Sequence, residues 1–184
     1  MDSARPLEYL SPMPRARSLA ILLAAATCVH AAEALGQQQV DTLDNVLVLG
    51  LGTALDTDVG DGSTGVGADV FVEFHAIDDW LEIEVGGSVL ASGGGTEMPF
   101  DLLFKKPFRL ARWAEMMIGV GPEVLYARGT RQANGVFFGG EFVVDFMFWW
   151  SRHVGWSVEP SYDVVARNGV THGPGISAGL IVGW

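Results

Sequence analysis

His75 and Glu82 are the residues of this chain best spaced to act as an acid–base pair. If Asp78 and Asp79 form a two-residue turn, the flanking strands place His75 opposite Glu82, and Glu73 opposite Glu84. A carboxylate that orients an imidazole is half of a general-base device. Nucleophilic catalysis also needs a hydroxyl within hydrogen-bond reach of the ring. Ser88 lies several residues along the neighbouring strand, too far for direct contact. No catalytic residue is therefore assigned, and the chain is not expected to be an enzyme.

A second possibility is metal chemistry in the stretch DTDVGDGS, where Asp56, Asp58 and Asp61 have the look of a calcium loop. An EF-hand loop needs an acid at its fifth position, glycine at its sixth and a bidentate Glu at its twelfth. Here Gly60 and Asp61 are in the reverse order and the twelfth position is Gly67. His75, His153 and His172 show no ligand spacing. The stretch reads as a solvated acidic loop, and neither a metal nor a cofactor is expected.

The third possibility is a charge network. Asp69, Glu73, Glu82, Glu84, Asp101, Glu115, Glu123, Glu141, Asp145, Glu159 and Asp163 share one face of an alternating pattern, with His75 among them. The cations available to them are Lys105, Arg109 and Arg112, with Arg128 reaching in from a loop. Acids far outnumber bases, so several carboxylates must be hydrated, paired with each other or protonated. Such a set builds either a structural plug or a narrow cation-preferring pore.

The elements that position these groups are strands. In GADVFVEFHA, Val70, Val72, Phe74 and Ala76 alternate with Asp69, Phe71, Glu73 and His75. In EFVVDFMFWW, Phe142, Val144, Phe146, Phe148 and Trp150 alternate with Glu141, Val143, Asp145, Met147 and Trp149. A period of two is the strand signature, because successive side chains point to opposite faces. The pattern recurs around residues 45–55, 80–89, 98–106, 113–125, 154–164 and 175–184, giving eight strands in all. Pro160 removes a ladder donor from the seventh and predicts a bulge or a rim position there. Polar, glycine-rich connectors at 56–65, 92–97, 127–135 and 166–174 alternate with short links near 78–79, 106–111 and 151–152. Long and short links in alternation predict an all-β, eight-stranded antiparallel up-and-down barrel with its four long loops at one end.

Side-chain size then separates inside from outside. The polar face is rich in small residues, among them Gly50, Gly86, Gly119, Ser157 and Gly179, and the apolar face carries ten aromatics including Phe104, Phe142, Trp156 and Tyr162. The lumen of an eight-stranded barrel is only wide enough for side chains to fill. Small residues and a few acids fit inside it, and the aromatics belong on a lipid-facing band. The opposite arrangement, an exported soluble barrel around an apolar ligand, is the alternative.

The N-terminus reads as an export signal. Arg15 and Arg17 precede the apolar run SLAILLAAATCV, and small residues follow at AAEA. Residues 1–34 are expected to form the signal peptide, with Met13 an alternative start, and residues 35–184 the barrel domain. Cys28 falls within the signal, so the mature chain would contain no cysteine. Residues 1–34 hold three basic and three acidic side chains, so the formal charge stays at -11 after their removal. So acidic a chain lacks the clustered basic surface that nucleic acid requires.

With this N-terminus, eight alternating strands and a last strand ending GLIVGW, the chain resembles the small eight-stranded outer-membrane barrels of Gram-negative bacteria. The resemblance covers residues 40–184 and implies location in the cell outer membrane, with the bilayer and lipopolysaccharide as surroundings and a monomeric state. It implies that Ala178, Leu180, Val182 and Trp184 are read by the barrel-assembly machinery, although Trp184 stands where Phe is commoner. Some barrels of this size resemble lipid A deacylases, which require a serine two places after the histidine. Ile77 occupies that place here. The expected role is structural or surface-interacting, with a narrow cation-selective channel as the alternative.

Overall fold

The computed structural model describes residues 46–60, 62–92, 94–130 and 134–184. The expected signal peptide, with Met13 and Cys28, lies outside the described residues, as does Asp61. Eight strands follow in order: β1 (Leu47–Thr57), β2 (Thr64–Ile77), β3 (Leu81–Ser92), β4 (Gly95–Ala111), β5 (Ala114–Arg128), β6 (Gly135–Trp149), β7 (Val154–Ala166) and β8 (Val170–Gly183). Each pairs antiparallel with its chain neighbour, and β8 pairs with β1 to close the barrel. Closure leaves no strand edge unpaired, so the ladder satisfies backbone polar groups without help from water. Trp184 extends the seam: its N–H donates to the Leu47 carbonyl at 3.0 Å, and its own carbonyl accepts from Val46 N–H at 2.7 Å.

All eight expected strands are present, but they are longer than the apolar alternation indicates, and the loops are correspondingly shorter. The stretches 92–97 and 166–174 are not long loops. Ser92 pairs directly with Gly95, and Ala166 pairs with Val170 across a turn at 167–169. Asn168 and Gly169 both have positive φ, 47° and 131°. Asn-Gly favours such left-handed turn conformations, and Gly94, with a φ of 87°, serves the other hairpin similarly. The longer connections, 58–63 and 129–134, do share one end with these two turns. That end is called the mouth here. The links 78–80, 112–113 and 150–153 lie at the other, the turn end. Residues 106–111, expected as a link, are strand.

Pro160 sits neither at a bulge nor at a rim. The β6–β7 ladder lapses beside it, between the pairs Val143–Ser161 and Phe146–Val158, and resumes in the same register. The missing N–H is accommodated by leaving rungs out, which costs no shift of face. The single register shift in β2–β3 falls between His75 and Ile77, beyond the Glu73–Glu84 and His75–Glu82 pairs, which are aligned as expected.

Burial follows the alternation and fixes the faces. Leu51, Val120, Phe138 and Leu180 are 66, 60, 69 and 59 % exposed, on the outside. Glu73, Glu84, Lys105 and Asp145 are buried within. Soluble monomers rarely expose an apolar patch of more than a few hundred Å², whereas here the apolar face runs around the whole wall. Trp80, Trp113, Trp150 and Trp184 are all exposed and all lie at the turn end, one in or beside each link and one at the seam. Trp113 continues inward along the wall through Phe148, 6.0 Å away, to Trp156 stacked at 4.5 Å. This is the girdle expected where a barrel wall meets an aqueous interface.

Candidate functional site

The lumen is the candidate site, and the glycines of its inner wall explain how it is filled. A Cβ on Gly50 would overlap the ring of Phe71, which crosses the barrel interior from β2. A Cβ on Gly119 would come within 2.7 Å of the Lys105 Cγ, so this glycine makes room for the lysine stem. Small residues on β1 and β5 thus allow large side chains of adjacent strands to lie flat across the narrow interior.

Lys105 is the hub of the interior and is 0 % exposed. Its Nζ donates to Glu84 Oε2 at 2.6 Å, Glu159 Oε2 at 2.6 Å and Asp145 Oδ2 at 3.3 Å. Those three bonds use the three donors of an ammonium group. Glu73 Oε2 stands 3.5 Å away as a fourth carboxylate, and the Phe71 ring centroid lies 5.6 Å from the same nitrogen. Glu73, Glu84 and Asp145 could by spacing hold a metal ion. The ammonium of Lys105 already occupies that role, bonded or within 3.5 Å of all three. Strands β2, β3, β4, β6 and β7 are tied together at this one nitrogen.

Toward the turn end the lumen changes character. His75 Nε2 meets Glu82 Oε1 at 3.0 Å, as the strand register required. Ser88 pairs with Asp69, at another level of the barrel, and Ile77 faces outward at the turn. The pair is thus a cross-strand link, with Ser88 away from it and Ile77 where the second serine would stand. Nearby, Val48, Met117, Met147, Trp149 and Ile181 pack together against Phe71. Met117 and Ile181 have no exposed surface, and Met147 and Trp149 have almost none. This apolar floor closes the barrel below the hub.

Toward the mouth, by contrast, there is space. A cavity of about 70 Å³ is lined by Asp56, Asp69, Asp101, Glu123, Glu141 and Asp163, with Glu84 and Glu159 of the Lys105 hub at its base. None of its described lining residues is Lys, Arg or His. It adjoins a second cavity of about 40 Å³ that shares Asp56, Glu123 and Asp163 and reaches the mouth residues Asp58, Glu97 and Arg167. Arg167 Nη1 donates to Glu97 Oε1 at 2.6 Å, its Nη2 bonds the Thr130 hydroxyl, and its guanidinium lies 5.2 Å from the Phe137 ring centroid.

A closed eight-stranded antiparallel wall, apolar outside and charged inside, decides the comparison. The fold is that of the small outer-membrane barrels. Neisserial surface protein A superposes with a TM-score of 0.62 at 14% sequence identity, covering 75% of this chain and 97% of that one. The outer membrane protein OprG of Pseudomonas aeruginosa superposes with a TM-score of 0.54 at 9% identity, covering 75% of this chain and 95% of its own. No family model matches the sequence. No curated protein matches it either.

All the acids expected in the lumen point inward, and three separate roles emerge among all of them but Glu115. Glu73, Glu84, Asp145 and Glu159 surround Lys105; Glu82 holds His75; Asp69, Asp101, Glu123, Glu141 and Asp163 line the cavity. Glu115 is half-buried near the turn end, opposite Arg109 in the β4–β5 ladder. The expected cations are corrected in three of four cases. Arg109 is exposed at the turn end, 4.0 Å from Asp79, while Arg112 falls in the β4–β5 link. Arg128 is exposed because its even position on β5 faces outward. Arg167, missed because it was counted into a loop, is the buried cation at the mouth instead. The Asn168–Gly169 pair after it carried the signal, since a tight hairpin there keeps Arg167 at the end of an inward-facing row. The apolar floor was also missed. Its trace was the large apolar residues Met147, Trp149 and Ile181 at inward positions near the strand ends.

Proposed function

We propose that this chain is a monomeric, non-enzymatic outer-membrane protein that acts through its surface and its stability in the bilayer, not through conduction or catalysis. The observation that carries this reading is the pairing of a continuous apolar exterior with an interior occluded at the Lys105 hub and the floor beneath it. The exterior argues for lipid: exposing that wall to water would leave the hydrophobic effect unused over its whole circumference. The interior argues against the soluble alternative, since it offers carboxylates where an apolar ligand would need an apolar cavity. It also favours a plug over a channel, because at Lys105, Met117, Val143 and Ile181 no side-chain surface reaches solvent.

On this reading residues 1–34 are the export signal, and lipopolysaccharide and phospholipid surround the wall. The barrel-assembly machinery reads the outer face of β8, where Ala178, Leu180, Val182 and Trp184 alternate with inward residues. Cell fractionation combined with heat-modifiable gel mobility tests the location: the chain should partition with the outer membrane and migrate faster unboiled. A soluble periplasmic fraction without a mobility shift would overturn the reading. Planar-bilayer recording tests the plug, for which no steady conductance is expected; a stable cation-selective current would replace it with the channel. Deleting Trp184 should reduce outer-membrane yield in cells more than it lowers stability after refolding in detergent. Its own contribution is bounded by about 1.5–3 kcal/mol for a large apolar side chain.

A further inference from the structure

We propose that the acidic cavity above Lys105 is a binding site for a hard divalent cation of the calcium type, entered from the mouth and closed below. The argument begins with the strand register. Asp101 on β4 lies directly opposite Glu123 on β5, and Glu141 on β6 lies directly opposite Asp163 on β7. Like charges directly opposite in an antiparallel pair repel. Here two such pairs stand on four consecutive strands, since Glu141 faces Gly121, two residues from Glu123. Asp56 and Asp69 complete the ring from β1 and β2. Lys105 relieves only the base of the cavity, through Glu84 and Glu159.

A second observation is independent of the clustering. Glu123 is only 4 % exposed, yet its Oε2 has no hydrogen-bond partner among the described residues. Asp69 Oδ1 and Asp101 Oδ2, on the same cavity wall, are likewise buried without a partner. Buried carboxylate oxygens normally find a donor or a cation.

The chemistry of the lining then selects the ligand. Every charged donor is a carboxylate oxygen, and neither Cys nor His lines the cavity. Oxygen-only, multiply anionic sites suit calcium, which accepts irregular geometry and six to eight oxygen ligands. A water needs about 10–15 Å³ of such space. The volume of about 70 Å³ has room for an ion with several of its waters, and those waters must supply part of the shell, because among the described residues the carboxylate oxygens that converge within 4.8 Å are those of Glu73, Glu84 and Asp145 at the hub. Entry is provided by the adjoining mouth cavity, which Glu123, Asp56 and Asp163 also line.

The test uses the mature barrel folded in a zwitterionic detergent, with calcium chloride as the probe. Equilibrium dialysis after chelator treatment should find one tightly held calcium per barrel, and calcium should raise the melting temperature relative to EDTA. Glu123→Gln and Asp101→Asn should each weaken that binding by about tenfold or more, since affinity follows ligand charge. Both should melt higher than the parent in EDTA, because each removes a repulsive charge. Asp78→Asn, at the exposed turn, should change neither quantity. Absence of calcium binding, or binding undiminished in both cavity variants, would overturn the proposal. A parent that melts identically in calcium and EDTA would also overturn it. Heat-modifiable mobility verifies that each variant is folded, so loss of binding cannot be mistaken for loss of structure. None of these outcomes bears on membrane location, which the fractionation experiment addresses separately.

Discussion

The two halves of the lumen hold similar side chains and solve opposite problems. Around Lys105, four carboxylates converge on one ammonium, three of them by hydrogen bonds, with no solvent contact at the nitrogen. Above it, six carboxylates line open space with no cationic residue among the described lining. The lower half is tied and filled; the upper half is charged and hollow. The difference rests on a single stem that reaches the barrel axis because Gly119 leaves room for it. A buried charge is tolerable when its partner is fixed in place, and otherwise space must be left for a counter-charge to enter.

The largest effect should come from breaking the tied half. Lys105→Met leaves Glu73, Glu84, Asp145 and Glu159 facing one another without a cation. Removing one partner of a buried pair typically costs about 3–5 kcal/mol. Urea unfolding in lipid should show a loss of at least that size, partly recovered when Glu84→Gln and Glu159→Gln are added. A change of the same sign as that of Glu123→Gln in EDTA would mean the two halves do not differ as described.

Next comes the wall that encloses both. Phe142, exposed at the middle of β6, should lie near the bilayer midplane. Phe142→Arg should cost about 2–4 kcal/mol there. In a detergent-free soluble preparation the same change would be harmless, so refolding into lipid vesicles is the informative measurement.

A smaller effect should come from the packing beneath the hub. Gly50→Val forces Phe71 off its place against the inner wall. Overpacking of this kind costs about 1–3 kcal/mol, and the loss should show as a lower urea midpoint with an unchanged slope. Smallest of all is Arg109→Ala at the turn end, where an exposed pair with Asp79 is separated by 4.0 Å. A change of about 0–1 kcal/mol is expected, and a larger one would move that residue into the lumen network after all.

Much of this architecture is written along the chain. Alternation in GADVFVEFHA or EFVVDFMFWW follows from the pleat, so strand identity and strand number are legible residue by residue, and the difference in side-chain size between the two faces assigns in and out. The pairing of His75 with Glu82 was legible too, because a short turn transmits register directly into neighbouring positions. Strand ends were less so. Residues 95–97 and 170–174 are polar or glycine-rich, and a strand lacking an apolar face carries no period to read.

What the sequence determined by itself was which groups face inward: parity along each strand sorts them into two faces, side-chain size says which face is inside, and both are local. Which inward groups meet was decided only by the tertiary structure. Lys105 and Glu159 are separated by 54 positions yet bond at 2.6 Å, and Arg167 meets Glu97 across 70. Such meetings depend on the registers of all the intervening strand pairs and on the stagger at which β8 closes onto β1. The cavity depends on them as well, since an empty space is a property of several walls at once. No single strand contains it.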